Sequence, residues 1–112
     1  MTARDFRRIA LGMAGAIEGA HMGHPDFRVD GRIFATLHAG LRSGMVKLTP
    51  AQQQDAVRDH PAVFEPEAGA WGRQGCTRVW LARVDEDTLG TVLTLARQNV
   101  ATTQTARRTA RR

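Results

Sequence analysis

The chain has 112 residues, with sixteen Lys plus Arg against eleven Asp plus Glu, four His and one Cys, a formal net charge of +5 and a pI near 11.2. This length holds one domain of ordinary size, and 42% hydrophobic content is normal for a chain that buries a core, so a second domain has no room. One cysteine, Cys76, excludes an internal disulfide, while Gly12, Gly15, Glu18 and Gly19 interrupt residues 9–20, so neither a secretory segment nor a membrane span is expected and the cytoplasm is the default setting.

Phe6, Ile9, Ala10, Met13 and Ile17 recur at helical spacing, and Thr2 with Asp5 has the form of a capping box, so a first helix is expected across this stretch. Residues 21–24 read as a loop. The Asp30-Gly31 pair then joins residues 26–29 to residues 32–38 as a two-residue hairpin, because a type I′ turn requires positive φ at both central positions. Regular pairing sets Val29 against Arg32 and Phe27 against Phe34. It places Phe27, Val29, Phe34 and Thr36 on one face and Arg28, Ile33, Ala35 and Leu37 on the other, and leaves open which face meets the helices.

Residues 45–48 read as a third strand. Thr49, Pro50 and Gln52 supply an N-cap, a proline at the first helical position and a capping-box partner, predicting a helix from residue 50 to about residue 59, ended by His60-Pro61. A strand begins near residues 62–64, residues 66–75 form a loop, and residues 77–82 alternate as a strand with Val79 and Leu81 opposite Arg78 and Trp80. The last helix starts near Asp85 or Asp87, where acids suit the positive end of the dipole, and carries Leu89, Val92, Leu93, Ala96 and Val100 on one stripe. Short connections favour antiparallel pairing. The expectation is an α+β two-layer sandwich with an antiparallel sheet of about five strands and the order α-β-β-β-α-β-β-α.

Residues 101–112 contain no large apolar side chain, so they are expected to be a flexible Arg-rich tail following a domain of residues 1–100. The charge divides along the same line. Residues 1–100 carry twelve basic and all eleven acidic residues, a net of +1, and Arg107, Arg108, Arg111 and Arg112 supply the other +4.

His21 and His24 have HxxH spacing, with His38 and Cys76 as further metal-ligand types, but a zinc site needs three or four converging ligands and no pair sits at i, i+4 on a helix, so no metal is expected. Cys76 reads as a small core residue. Glu65 and Glu67, like Asp85, Glu86 and Asp87, read as structural acids. Gly72-Arg73-Gln74-Gly75 has the letters of a GXXG loop but precedes a strand, and Gly69, Gly72 and Gly75 do not make a dinucleotide fingerprint. Trp71 is expected to plug the edge of the core, with a stacking surface as the alternative. Arg28, Arg32, Arg78 and Lys47 read as the solvated side of an amphipathic sheet, and would make a basic face if aligned.

In order, His24-Pro25-Asp26-Phe27-Arg28-Val29, the Asp30-Gly31 turn, Arg32-Ile33-Phe34-Ala35, Lys47-Leu48-Thr49-Pro50, Trp71-Gly72 and the strand 79–81 resemble the MmcQ/YjbR-like family over roughly residues 5–100. The resemblance implies a compact α+β domain that binds DNA through winged strand-and-loop features and brings no catalytic residues. It points to Arg28, Arg32, Lys47 and the Trp71-Gly72-Arg73 loop, and some relatives carry an aromatic residue where this chain has Cys76.

The expected function is a non-enzymatic, cytoplasmic DNA-binding protein without a cofactor. Arg28, Arg32, Lys47, Arg73 and Arg78 would contact phosphates, Trp71 would stack or wedge, and Arg107, Arg108, Arg111 and Arg112 would act as a nonspecific arm. The alternative is a protein-interaction or small-ligand module using the region of His24, Trp71 and Arg73 or an apolar sheet face, alone, as a homodimer or with a protein partner. An enzyme ranks third, because no nucleophile, base and orienting group can be assembled from these residues.

Overall fold

The computed structural model describes the backbone of residues 1–110 and side chains up to residue 101. Helix α1 (Ala3–Leu11) opens on the Thr2–Asp5 capping box, with the Asp5 N–H donating to Thr2 Oγ1 at 3.2 Å and the Thr2 N–H donating to Asp5 Oδ2 at 2.8 Å. It ends at Gly12, earlier than the apolar spacing suggested. Ile17 belongs instead to strand β1 (Ile17–His21), paired with β2 (His24–Val29) around a Met22-Gly23 turn in which both residues have positive φ. The expected loop at residues 21–24 is thus the end of a hairpin.

Strand β2 turns through Asp30 (φ 53°) and Gly31 (φ 77°) into β3 (Arg32–Leu37), with Val29 opposite Arg32 as expected. The Phe27–Phe34 pairing is corrected. A bulge makes Phe27 face Ala35 while Arg28 faces Ile33. One extra residue reverses the side-chain parity beyond it, so Phe34, Ala35 and Leu37 all enter the core with Phe27 and Val29, and Ile33 and Thr36 are left on the other side.

Strand β4 (Ser43–Lys47) leads into helix α2 (Pro50–Asp59), capped by Thr49 and Gln52 as its sequence demands. Strand β5 (Phe64–Pro66) precedes α3 (Gly69–Arg73), a short helix inside the expected 66–75 loop, and β6 (Cys76–Trp80) follows. Gly75, at φ 112°, lets that chain pass Leu48, whose carbonyl oxygen would lie 1.9 Å from a Cβ. Helix α4 (Glu86–Ala110) begins where Asp85 Oδ1 accepts the Thr88 N–H at 2.7 Å and buries Leu89, Val92, Leu93, Ala96 and Val100. Its backbone continues through residues 101–110 of the expected tail. Arg111 and Arg112 lie outside the described residues, as do the side chains of Arg107 and Arg108.

The fold is α+β, with six antiparallel strands in the order β1-β2-β3-β4-β6-β5. Helix α4 packs across β3 and β4, and α1 packs beside α4. The core lies between this helical layer and the sheet side carrying Phe27, Phe34, Leu37, Val46 and Val79. Asp26, Arg28, Ile33, Thr36, Met45, Lys47 and Arg78 occupy the opposite side, which forms the floor of the candidate site.

Candidate ligand-binding cleft on the open sheet face

A cleft of about 430 Å³ lies over this floor. Ile33 and Thr36 of β3, Met45 and Lys47 of β4, and Cys76 and Arg78 of β6 line its base, with His21 and His38 at one side and Glu67, Ala68 and Trp71 as a wall. The bulge in the second hairpin is what puts Thr36 here beside Ile33. The wall is held from behind the sheet: Gln53 of α2 donates to the carbonyls of Gly72 and Cys76, both at 3.0 Å, tying α3 to β6. The amide is buried, so losing these bonds would leave polar groups without partners.

Trp71 is 65% exposed and does not plug the core. Five-residue α3 lifts it to the rim of the cleft, while the four phenylalanines and the aliphatic residues fill the interior. Among the described residues Lys47 has no ion pair. Arg78 Nε donates to Glu67 Oε1 at 3.1 Å, and its guanidinium carbon lies 5.4 Å from the Trp80 ring centroid.

Two carboxylate–imidazole–arginine clusters organise the charge. In the first, the fully buried Asp26 accepts from Arg28 Nε at 2.8 Å, Arg28 Nη2 at 3.0 Å and His21 Nδ1 at 2.8 Å. Hydrogen bonding from Arg28 outweighs the upward push of burial and, helped by His21, holds the Asp26 carboxyl below its ordinary value. Gly19 leaves room for the pair, since a Cβ there would lie 2.9 Å from Asp26 Oδ1.

A depressed folded-state carboxyl pKa stabilises the fold above the ordinary value of about 3.9, and that contribution is lost as pH falls through the folded value. Asp26→Asn is therefore expected to lower stability at neutral pH by roughly 1–3 kcal/mol, discounted for the solvent reaching Arg28. Denaturation followed against pH should show the wild-type and variant curves converging below about pH 4. A gap unchanged into strong acid would show that the carboxylate charge contributes nothing.

In the second cluster Glu67 Oε2 lies 2.6 Å from His38 Nε2, and His38 Nδ1 lies 2.9 Å from Ser43 Oγ. Burial pushes the Glu67 carboxyl up, but His38 and Arg78 together outweigh it and hold it below its usual value. Ser43, His38 and Glu67 are a serine–imidazole–carboxylate chain in composition. Both ring nitrogens are engaged within it and Ser43 is buried, so the geometry makes a clamp rather than a presented nucleophile. Burial also raises the Cys76 thiol, against the pull of Lys47, which favours its protonated form.

The structure thus gathers Trp71, Lys47 and Arg78 at the cleft and keeps Arg28 on the same side of the sheet, locked to Asp26. Arg32 lies opposite Val29 and Arg73 ends α3, and neither lines the cleft. His24 lies across from His21 with ring centroids 6.5 Å apart. Among the described residues no group of three or more His, Cys, Asp or Glu is placed to hold a metal ion, and no helix is long and apolar enough to cross a membrane. His38, Met45 and Glu67 are cleft residues that sequence reasoning did not assign to it. Strand alternation could have flagged Met45 beside Lys47, but nothing local marks Glu67, which reaches His38 across 29 residues.

Comparison with known proteins follows the same outline. No curated protein matches the chain. Among solved structures, the fold is similar to the crystal structure of Deinococcus radiodurans protein DR2400, which has a DUF419 domain, with a TM-score of 0.69 and 19% identity over 82% of this chain and 72% of that one. The YjbR family model matches residues 11–99, which covers the sheet, the cleft and α4 as far as Asn99. The chain belongs to the YjbR family, the MmcQ/YjbR-like group that the order of its motifs resembles.

Proposed function

We propose that the protein is a non-enzymatic, cytoplasmic DNA-binding protein whose open sheet face takes unpaired bases, one base stacking on Trp71 with a neighbouring phosphate at Lys47. The observation that carries this reading is the exposure of Trp71 at the rim of a cleft that also presents Lys47. A large aromatic surface held in water beside a cation is the pairing used to bind single strands, because every base has a face to stack. The cleft volume falls within the range of sites for small organic groups. A role on duplex DNA draws less support, because Asp26 and Glu67 already neutralise Arg28 and Arg78.

Few phosphate contacts imply a weak salt dependence from the folded body, with a log–log slope of about 0.7 per phosphate on a single strand. Trp71→Ala is expected to weaken binding of a labelled oligothymidylate by about 1–3 kcal/mol, roughly five- to 150-fold, measured by fluorescence anisotropy. Replacing Arg107, Arg108, Arg111 and Arg112 by glutamine should flatten the salt slope yet preserve the Trp71 effect. Unchanged binding by Trp71→Ala would remove the cleft from the proposal.

A second reading, a small-ligand or protein-interaction module, draws on the neutralised arginines and on Ile33, Met45 and Ala68 in the cleft. It is distinguished by a mononucleotide or other small planar anion binding as tightly as the oligonucleotide.

A further inference from the structure

We propose that His38 is a proton-operated charge switch for the cleft, its protonation adding a positive charge beside Lys47 and Arg78 and tightening the hold on an anionic ligand. This rests on the nucleic-acid reading of the same cleft. The hydrogen bonds around His38 accommodate either charge state. In the neutral ring, Nε2–H donates to Glu67 and Nδ1 accepts from the Ser43 hydroxyl. In the protonated ring, Nδ1–H donates to Ser43 Oγ instead. A hydroxyl can reverse its role by rotating, so the charge changes without moving a heavy atom.

The surrounding groups make that charge count. Lys47 projects from β4, Arg78 and Cys76 from β6, and Glu67 from the segment before α3; His21 of β1 lines the same cleft with Asp26 and Arg28 behind it. Glu67 offsets Arg78 and Asp26 offsets Arg28, which leaves Lys47 as the uncompensated charge while His38 is neutral. Glu67 and Asp26 are both held in the ionised form, and burial favours the protonated Cys76 thiol, so neither the carboxylates nor the thiol supplies a change of charge near neutrality; imidazole is the side-chain type suited to one there. By linkage, a bound anion favours protonated His38 to the same degree that protonation favours the anion.

Oligothymidylate is the appropriate probe, because thymine and its phosphates keep constant charge across this range. At fixed ionic strength its dissociation constant should fall about fivefold between about pH 8 and pH 5 for the wild type. His21→Gln should retain most of that dependence. His38→Gln, which keeps an N–H for Glu67, should lose the acid enhancement, the ratio of its own dissociation constants at the two ends of the range falling towards one whatever its affinity at the alkaline end. A pH-independent wild type, or a His38→Gln variant with the full dependence, overturns the switch and leaves the nucleic-acid reading standing. Absence of binding at every pH overturns both.

Discussion

Replacing Gly72 by alanine should destabilise the protein by about 3 kcal/mol or more and weaken ligand binding beyond what that loss explains. A Cβ at this position would lie 1.7 Å from the Glu67 carbonyl oxygen and 2.8 Å from its carbon. Both contacts are with backbone, so no side-chain rotation relieves them. The start of α3 must move, and with it Glu67, which clamps His38 and Arg78, and Trp71 at the rim. The Gln53 bond to the Gly72 carbonyl is strained by the same shift. Urea denaturation and oligonucleotide anisotropy on one preparation provide the test. Wild-type stability with wild-type affinity would mean that α3 is not held as tightly as the packing implies.

Phe6→Ala should cost about 3–5 kcal/mol, a large share of the 5–15 kcal/mol that holds a domain together. Phe6 is fully buried, its ring centroid 5.8 Å from that of Phe27, where α1 meets the sheet. Gly44 of β4 sits beneath it: a Cβ there would lie 2.8 Å from Phe6 Cε2 and 2.9 Å from the Thr36 carbonyl oxygen. Gly44→Ala alone should therefore be destabilising, and less so in the Phe6→Ala background, where only the Thr36 conflict remains. A double-mutant cycle by thermal denaturation measures that coupling. Strict additivity would show that the ring does not press on β4.

Local chemistry made parts of this fold legible. Thr49, Pro50 and Gln52 specify the start of α2 through backbone hydrogen bonds that they satisfy themselves, and Asp30-Gly31 specifies a turn through φ alone. The α4 stripe is equally plain because the 3.6-residue period runs for several turns. Ile17 misled because its spacing from Met13 suits a helix, although the intervening Gly15, at φ 76°, breaks one. The bulge left no mark in residue types, yet it decided which of Ala35, Thr36 and Leu37 share the core face with Phe34. Trp71 was misplaced by an argument from composition, that a small core needs its large aromatics. The strand cations were found, but their partners were not: Glu67 lies 11 residues from Arg78 and meets it only when β6 is in place.

The β4–β6 pairing also carries a consequence for assembly. These neighbours are separated along the chain by α2, β5 and α3, whereas β1 to β4 follow one another directly. No fragment ending before Cys76 can contain the cleft, however well its hairpins form. Closing that long-range contact completes the sheet and creates the binding face together, and contacts so distant in sequence are the slow ones to form. Any ligand that occupies the face therefore adds its binding free energy to the stability of the whole domain.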